Sequence, residues 1–333
     1  MSSLAKGMLM REGMLRRAQR SLFCAAIIAA AFVACSGPAA GVGVSPAQAC
    51  SDLSTSICTR LNACAPFYVT LAYGGVSQCT TRVAIGCPDT ISANGSGATA
   101  SDVEACAQAY PAASCAQLEA NAPPPACQIA GTLAAGAVCG TSQQCAGPNG
   151  YCKIASTAVC GACATQSAAG GPCTANGDCQ AALVCGMAAV ATMGACVSPG
   201  ATGATCDPAH PCQQTLVCSK TTCSMPVQAG GACDPIAQNC DLTQGLFCHP
   251  MSKVCAQVQT GAAGGPCGFS ASTNTYTLCT SGATCNGATS TKQGTCGAVA
   301  ADGAACGSNM ATCMTPAVCV NNVCTLPNAS SCQ

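Results

Sequence analysis

The chain has 333 residues, of which 36 are cysteine, 7% are charged, 3% are aromatic and none is Trp. Its formal net charge is zero, and from residue 35 onward six basic residues face ten acidic ones, so no basic patch is available to bind nucleic acid. After residue 130 the only aromatic residues are Tyr151, Phe247, Phe269 and Tyr276, too few for a conventional hydrophobic core in this part of the chain, and the cysteine content is typical of a disulfide scaffold.

The cysteine density also indicates the cellular compartment of the protein and whether it binds a metal. Disulfides persist in oxidising compartments, which indicates an exported protein. Zinc sites favour closely spaced cysteine pairs or Cys/His mixtures, whereas this chain has a single CxxC pair, Cys160 and Cys163, and only two histidines. We therefore predict structural disulfides, with no metal and no cofactor.

The first residues have the pattern of an export signal. Three arginines precede an apolar run over residues 22–34, which is the order of a secretory signal and is too short for a membrane-spanning helix. The run ends in Phe32-Val33-Ala34-Cys35, which resembles a bacterial lipobox with Phe32 in place of the usual Leu. We predict a signal peptide over residues 1–34 and lipidation of Cys35, the alternative being ordinary cleavage and free secretion.

The segment after the signal peptide is rich in Gly, Pro, Ala and Ser, and we predict a flexible tether over residues 35–49. Removal of Cys24 with the signal and acylation of Cys35 leave 34 of the 36 cysteines. This even number predicts about 17 bridges.

Residues 50–130, called the head below, are predicted to form a small all-α bundle. Apolar residues recur at helical spacing behind Ser51 and Asp52 as possible caps, and capping-box patterns begin at Ser101 and Ser114. We expect three or four short helices, about four disulfides and a core of aromatic side chains, the alternative being an exposed binding patch around residues 66–68. The cysteines of the head are Cys50, Cys58, Cys64, Cys79, Cys87, Cys106, Cys115 and Cys127, and its aromatic residues are Phe67, Tyr68, Tyr73 and Tyr110.

Residues 131–333, called the array below, contain six repeats of four cysteines. A Gly precedes every first cysteine by three residues, which suits a turn with positive φ. Units one to six contain Cys139, Cys145, Cys152 and Cys163; Cys173, Cys179, Cys185 and Cys196; Cys206, Cys212, Cys218 and Cys223; Cys233, Cys240, Cys248 and Cys255; Cys267, Cys279, Cys285 and Cys296; and Cys306, Cys313, Cys319 and Cys324.

Each unit is predicted to be a short β-hairpin held by two bridges. Four cysteines permit three connectivities, of which we favour first-to-third with second-to-fourth. Cys160 and Cys332 fall outside the repeat, and residues 268–278 and 286–295 are expected to be variable loops. The residue directly before the third cysteine is often apolar and is expected to pack on the disulfides; these residues are Tyr151, Val184, Val217, Phe247 and Val318.

Unit one, Cys139-GTSQQ-Cys145-AGPNGY-Cys152-KIASTAV-Cys160-GA-Cys163, resembles the Dickkopf N-terminal cysteine-rich region, which also carries the CxxC pair. Over residues 20–333 the chain is also similar to cysteine-rich lipoproteins of Gram-negative soil bacteria, myxobacteria among them. The resemblance implies a small disulfide-rich fold with a helical head, tandem mini-modules and a lipid anchor. It implies no activity, and the Wnt-receptor regulation of the animal proteins is not carried over because their second cysteine-rich domain is absent.

No catalytic constellation is present in the sequence, and we predict that the chain is not an enzyme. His210 and His249 are expected to be solvated loop residues without a third group to orient them. The Cys160/Cys163 pair lacks the βαβ context of a redox motif, so structural bridging is expected. The scattered acids Asp178, Asp207, Asp234 and Asp241 are expected to be turn residues, because calcium needs several converging oxygens.

Three hypotheses for function remain open. The first is a surface protein that binds an extracellular protein or glycan while a lipid holds it at the outer membrane or cell surface. The second is a passive stalk or spacer. The third is a protease inhibitor, for which Lys153, Lys220 and Lys253 are candidate cleavage-site residues.

Overall fold

The computed structural model describes residues 43–119, 122–155, 158–188, 191–235, 238–273, 275–289, 292–307 and 311–332. The predicted signal peptide, Cys35 and most of the predicted tether lie outside these residues. The 34 cysteines of the described residues form 17 disulfides, and the chain is a small disulfide-rich protein with short helices and small strand pairs.

The described residues of the head form six α-helices rather than three or four. Gly74 and Gly75 separate two of them, and the prolines Pro66 and Pro88 each stand in the first turn of a new helix, where a missing N–H costs nothing. The helices are α1 (Pro46–Cys64), α2 (Pro66–Tyr73), α3 (Val76–Ala84), α4 (Cys87–Ser92), α5 (Ala100–Ala109) and α6 (Cys115–Glu119).

The start of α1 corrects two sequence predictions. Residues 46–49, predicted as tether, form its first turn, and Ser51 and Asp52 are not its caps. The side chain of Ser45 accepts a hydrogen bond from the Gln48 N–H at 3.2 Å, and Pro46 follows at the first helical position. A capping serine followed by proline is a strong helix start, and it outweighs the small-residue composition of this segment.

Of the two predicted capping boxes, the one at Ser114 is present. The Gln117 N–H donates to Ser114 Oγ at 3.1 Å, and the Ser114 N–H donates to Gln117 Oε1 at 2.8 Å. The prediction at Ser101 is wrong, because Thr99 caps α5 in a reciprocal pair with Asp102. Both boxes satisfy backbone N–H groups that have no partner inside the helix.

Four disulfides hold the head together, and a core of aliphatic and aromatic side chains lies between them. Val69 is fully buried and Tyr73 is 5% exposed, while Tyr68 and Tyr110 pack against the same cluster. Burial raises the pKa of Tyr68, and it raises the pKa of both Tyr73 and Tyr110 to about 12. The bridges are Cys50–Cys87, Cys58–Cys79, Cys64–Cys115 and Cys106–Cys127.

The array is built from short strands. They are β1 (Val138–Cys139), β2 (Gly150–Lys153) and β3 (Gly161–Thr165) in unit one; β4 (Pro172–Cys173), β5 (Val184–Gly186) and β6 (Gly194–Val197) in unit two; β7 (Val217–Ser219) and β8 (Thr222–Ser224) in unit three; β9 (Leu246–Cys248) and β10 (Cys255–Gln257) in unit four; β11 (Gln259–Gly261), β12 (Pro266–Ser270), β13 (Thr275–Cys279), β14 (Cys285–Asn286) and β15 (Gly294–Cys296) in unit five; and β16 (Val299–Ala300), β17 (Thr312–Cys313), β18 (Val318–Val320) and β19 (Val323–Thr325) in unit six.

One disulfide connectivity recurs in every unit. The first cysteine bonds the third and the second bonds the fourth, as favoured from the sequence. The third and fourth cysteines stand directly opposite each other in an antiparallel hairpin in all six units. The two bridges therefore leave the hairpin side by side and form the core of the unit.

The glycine before each first cysteine has the predicted positive φ. The six values run from 77° at Gly230 to 86° at Gly136 and Gly203, and a Cβ placed at any of the six would meet nothing within 4 Å. Backbone conformation, and not space, is therefore what selects glycine here. Its N–H donates to the carbonyl of the fourth cysteine of its own unit at 2.8 Å in all six units.

The spacer between units is also regular. In each unit the residue six positions before the first cysteine pairs in parallel with the second cysteine, as Ser167 does with Cys179 and Gly200 with Cys212. Each spacer thus belongs structurally to the unit that follows it. This explains the nearly constant distance from a fourth cysteine to the next first cysteine.

The apolar residue that packs on the cystines is not the predicted one. Successive residues of an extended chain point to opposite faces, so the residue two before the third cysteine shares that cysteine's face. The residue directly before the third cysteine lies on the other face, and Tyr151 and Phe247 contact the following unit instead. The packing residues in units two to six are Leu183, Leu216, Leu246, Ala283 and Ala317.

Candidate functional site

The array returns to its own beginning through a covalent bond. Cys160 and Cys332, the two cysteines outside the repeat, are bonded to each other across 172 residues. Cys160 and Cys163 thus belong to different bridges, because Cys163 bonds Cys145. The CxxC pair is structural, and the array is a closed ring.

The predicted framework cysteines of units one to three all lie in this ring. Their bonds follow the first-to-third and second-to-fourth rule, while Cys35 lies outside the described residues. The bonds are Cys139–Cys152, Cys145–Cys163, Cys173–Cys185, Cys179–Cys196, Cys206–Cys218 and Cys212–Cys223.

Unit one is held to the head by a buried amide. Gln144 is fully buried, and its Nε2 donates to the Asn94 carbonyl at 2.8 Å. Its Oε1 accepts from the Gly140 N–H at 2.7 Å and the Thr141 N–H at 3.1 Å. One side chain therefore fixes the turn after the first cysteine and the contact with the head.

Unit six is held to the head by a buried guanidinium. Arg82 on α3 is 7% exposed and pairs with Asp302 through two hydrogen bonds of 2.6 and 2.8 Å. Its Nε donates to the Thr315 carbonyl at 2.7 Å, and its Nη2 donates to the Met314 carbonyl at 2.8 Å. Hydrogen bonding to Arg82 lowers the pKa of Asp302.

Units four and five also contact the head, on α2. The Gly282 N–H donates to the Leu71 carbonyl at 2.8 Å, and a Cβ on Gly245 would lie 2.6 Å from Phe67 Cδ2. Phe67 is half-buried against unit four, so residues 66–68 pack within the molecule and do not form an exposed patch. The ring therefore contacts the head through four of its six units.

Asp178 joins units one and two, and it is not a simple turn residue as predicted. It is 6% exposed and accepts from the Tyr151 hydroxyl at 2.6 Å, while Lys153 Nζ lies 3.0 Å from Oδ1. Thr174 donates its N–H and its hydroxyl, each at 2.7 Å. Burial alone raises the pKa of Asp178, but hydrogen bonds from Tyr151, Thr174 and Lys153 outweigh it and lower the pKa to about 2.

The sequence does contain a signal for this role. Gln144, Asp178 and Asn239 each stand directly before a second cysteine, and each accepts a backbone N–H from the turn after the first cysteine. A polar residue at this repeat position therefore marks the cap of that turn.

The array's other aromatic residues join units four and five. Phe247 stacks on Tyr276 with ring centroids 4.3 Å apart, and the ring of His249 lies edge-on to Phe269 at 5.5 Å. Residues 268–278, predicted to be a variable loop, carry Phe269 and Tyr276 on the β12–β13 hairpin. An insertion in unit five thus provides the surface on which unit four packs.

This packing corrects the prediction for His249, which is 4% exposed and not solvated. Its Nδ1 accepts the N–H groups of Met251 at 3.2 Å and Ser252 at 3.1 Å, and its Nε2 is buried with no hydrogen-bond partner among the described residues. His210 is exposed as predicted, and its Nδ1 lies 3.0 Å from Asp207 Oδ1.

The sulfur clusters have the spacing of metal ligands, but their sulfurs are bonded to one another. In unit one the sulfur atoms of Cys139, Cys145 and Cys163 lie within 4.8 Å of each other, and the other units repeat this arrangement. Each of these atoms belongs to a disulfide, so no thiolate is present there to ligate a metal.

A cavity of about 1870 Å³ lies between the head and the ring, with units one and six forming most of the wall opposite the head. None of the helices in the described ranges is both long enough and apolar enough to cross a membrane. No protein-family model matches the chain, and no curated protein or solved structure matches it either.

Proposed function

We propose that the chain is a non-catalytic binding protein of the cell surface, held to a membrane by a lipid on Cys35, and that its partner is an extracellular protein or glycan. The extensive disulfides indicate an extracellular or secreted protein. The observation that carries the proposal is the closed ring, because a bond between the two ends of the array limits how far its units can move relative to one another.

The exposed side chains of the array support a binding role. Met193, Met225 and Met251 are 60%, 65% and 77% exposed and lie in or beside the hairpins of units two to four. Loops carried on a rigid scaffold are a common location for binding residues, and methionine adapts to varied partners.

The two alternatives receive less support. A spacer separates its two ends, whereas here Cys160 and Cys332 bring the ends of the array together. An inhibitor presents an extended segment to a protease cleft, whereas Lys220 and Lys253 have φ values of 48° and 53° in tight turns. Lys153, the third candidate, lies in β2 and pairs with Asp178.

Binding is tested with the purified, biotin-labelled chain on intact cells of the source organism and on a glycan array. The matched control is the same chain after full reduction and alkylation. Saturable binding that disappears with reduction is expected. Absence of saturable binding by the oxidised chain would contradict the binding role and favour the spacer hypothesis.

Anchoring is tested separately in an exporting host by Cys35→Ser, with Cys24→Ser as the control inside the signal segment. The parent and Cys24→Ser chains should fractionate with membranes and carry an acylated N-terminal peptide in mass spectrometry. The Cys35→Ser chain should be released. Equal membrane association of all three chains would contradict a lipid on Cys35.

A further inference from the structure

The cavity between the head and the ring has an aliphatic wall on both sides. Leu53, Ile57 and Ile129 of the head line one side, and Ile154 of unit one and Val318 of unit six line the other. Its volume of about 1870 Å³ exceeds the range of about 300–1,000 Å³ that is usual for small-ligand pockets. The space is therefore large enough for an extended apolar molecule.

The wall is nearly free of charge. Among the described residues that line the cavity, Lys153 and Asp178 are the charged ones, and they pair with each other at 3.0 Å. The Tyr151 hydroxyl already donates to Asp178. An anionic or cationic ligand would find no unpaired opposite charge here, and burying its charge would be costly. The lining thus selects an uncharged ligand.

We propose that this cavity binds the hydrocarbon chain of a lipid, lying between the aliphatic wall of the head and that of units one and six. The driving force is removal of the chain from water, which is worth about 0.8 kcal/mol for each buried CH₂ group. The site does not depend on a lipid at Cys35.

The bridge that closes the ring also holds two sides of the cavity together. Gly140 of unit one and Ala329 near the end of the chain both line it, and a Cβ on Gly140 would lie 2.5 Å from Ala329 Cα and 3.1 Å from Cys332 Sγ. Opening Cys160–Cys332 is therefore expected to weaken binding even though every unit keeps both of its own disulfides.

Two sources can supply the hydrocarbon. A free membrane lipid is one, and the lipid proposed for Cys35 is the other. Val44, close to the start of the described residues, packs against the cluster that contains Leu53, Val103 and Ile129. Cys35 precedes Gly43 by eight residues, which span at most about 29 Å when fully extended.

The test uses the exported chain and the uncharged fluorophore N-phenylnaphthylamine. A saturable rise in fluorescence is expected, with displacement by methyl palmitate and none by methyl acetate, which has the same ester without the long chain. Ile154→Glu should weaken binding of the fluorophore at least about tenfold, because it introduces a charge into an apolar wall. Val138→Glu is the matched control, since Val138 belongs to unit one like Ile154, is 46% exposed and does not line the cavity.

Ile154 is itself 37% exposed, so the charged variant should fold, and an unchanged near-ultraviolet circular dichroism spectrum checks this. Ala311→Phe, which fills part of the cavity without adding charge, should also weaken binding. Absence of saturable binding by both the parent chain and Cys35→Ser would overturn the proposal. In whichever of these two chains binds the fluorophore, equal binding by the Ile154→Glu and Val138→Glu variants, or equal displacement by the two esters, would also overturn it.

The source is resolved by comparing the parent chain with Cys35→Ser. Binding by Cys35→Ser alone would support the proposal with the chain's own lipid as occupant. Equal binding by both chains would support it with a separate lipid as occupant, also where Cys35 proves not to be acylated. Binding by neither chain would refute the site while leaving the surface-binding function open.

Discussion

Removal of the closing bridge is the sharpest test of the ring. In a Cys160→Ser/Cys332→Ser variant the twelve bridges of the six units stay intact, and so do the contacts that Arg82 and Gln144 make between the head and the array. The folded state should therefore keep its compactness. The unfolded state gains freedom, because the two ends of the array are no longer tied together.

The size of the effect follows from the length of the loop. The bridge spans 172 residues, but the disulfides of units two to six shorten the covalent path to roughly 100 residues, and closing such a loop is worth about 4.7 kcal/mol in the chain-entropy model. Cys212–Cys223 in unit three spans 11 residues, a length for which the same model predicts about 3 kcal/mol. Loss of the closing bridge should thus cost about 2 kcal/mol more than loss of the short one.

The assay is guanidinium unfolding under non-reducing conditions, with Cys212→Ser/Cys223→Ser as the control. The dependence of unfolding free energy on denaturant should steepen in the Cys160→Ser/Cys332→Ser variant, because its unfolded chain exposes more surface. Small-angle scattering should give an unchanged radius for the folded chain. A loss of less than about 1 kcal/mol, or a loss no larger than in the control, would refute the entropic account of the ring.

Three further predictions concern single residues. Gly203→Ala should lower the free energy of unfolding by about 1–2 kcal/mol in thermal unfolding, and Gly203→Asn should lower it less, because Gly203 has a φ of 86° and open space around its Cα. Equal losses in the two variants would contradict the conformational explanation. Arg82→Met should cost about 2–3 kcal/mol in urea unfolding, because the carbonyls of Thr315 and Met314 lose their donor along with the ion pair. Asp302→Asn, which keeps Arg82 and its bonds to both carbonyls, is the comparison and should cost less. The pKa of Asp178 lies at about 2 in the folded chain, below the ordinary value of 3.8. Its ionised carboxylate therefore contributes fully to stability above about pH 4, and this contribution is lost as the pH falls toward 2. The loss of unfolding free energy between about pH 5 and pH 2, measured by urea unfolding, should be smaller in Asp178→Asn.

Local features were the most accessible to sequence reasoning. A glycine at a constant distance before each first cysteine predicts a left-handed turn, because few other residues adopt that conformation at low cost, and Gly136 and its five equivalents have it. Ser114 and Gln117 form their predicted box for a similar reason, since both partners lie within one turn of helix. Such features depend on residues that are near neighbours along the chain.

The features that sequence reasoning missed depend on distant residues. Nothing near Cys160 or Cys332 identifies the other as its partner, since 172 residues separate them. Burial of His249 is produced by Phe269 on an inserted hairpin of the next unit, and Asp178 is buried by Tyr151 of the previous unit. The composition of residues 46–49 suggested a tether because small residues are common there, whereas one serine–proline step decides the helix start.

The closed ring also limits how this architecture can change in evolution. Each spacer pairs with the unit that follows it, so a segment from one fourth cysteine to the next carries its own two disulfides and its own spacer pairing, and such a block could be duplicated or deleted without breaking the disulfides of another unit. The bond between Cys160 and Cys332 removes that freedom. A seventh block would move Cys332 away from unit one, and deletion of one block would leave the chain too short for Cys332 to reach Cys160. An open array can vary its repeat number gradually, whereas this one must either keep six repeats or give up its terminal bond.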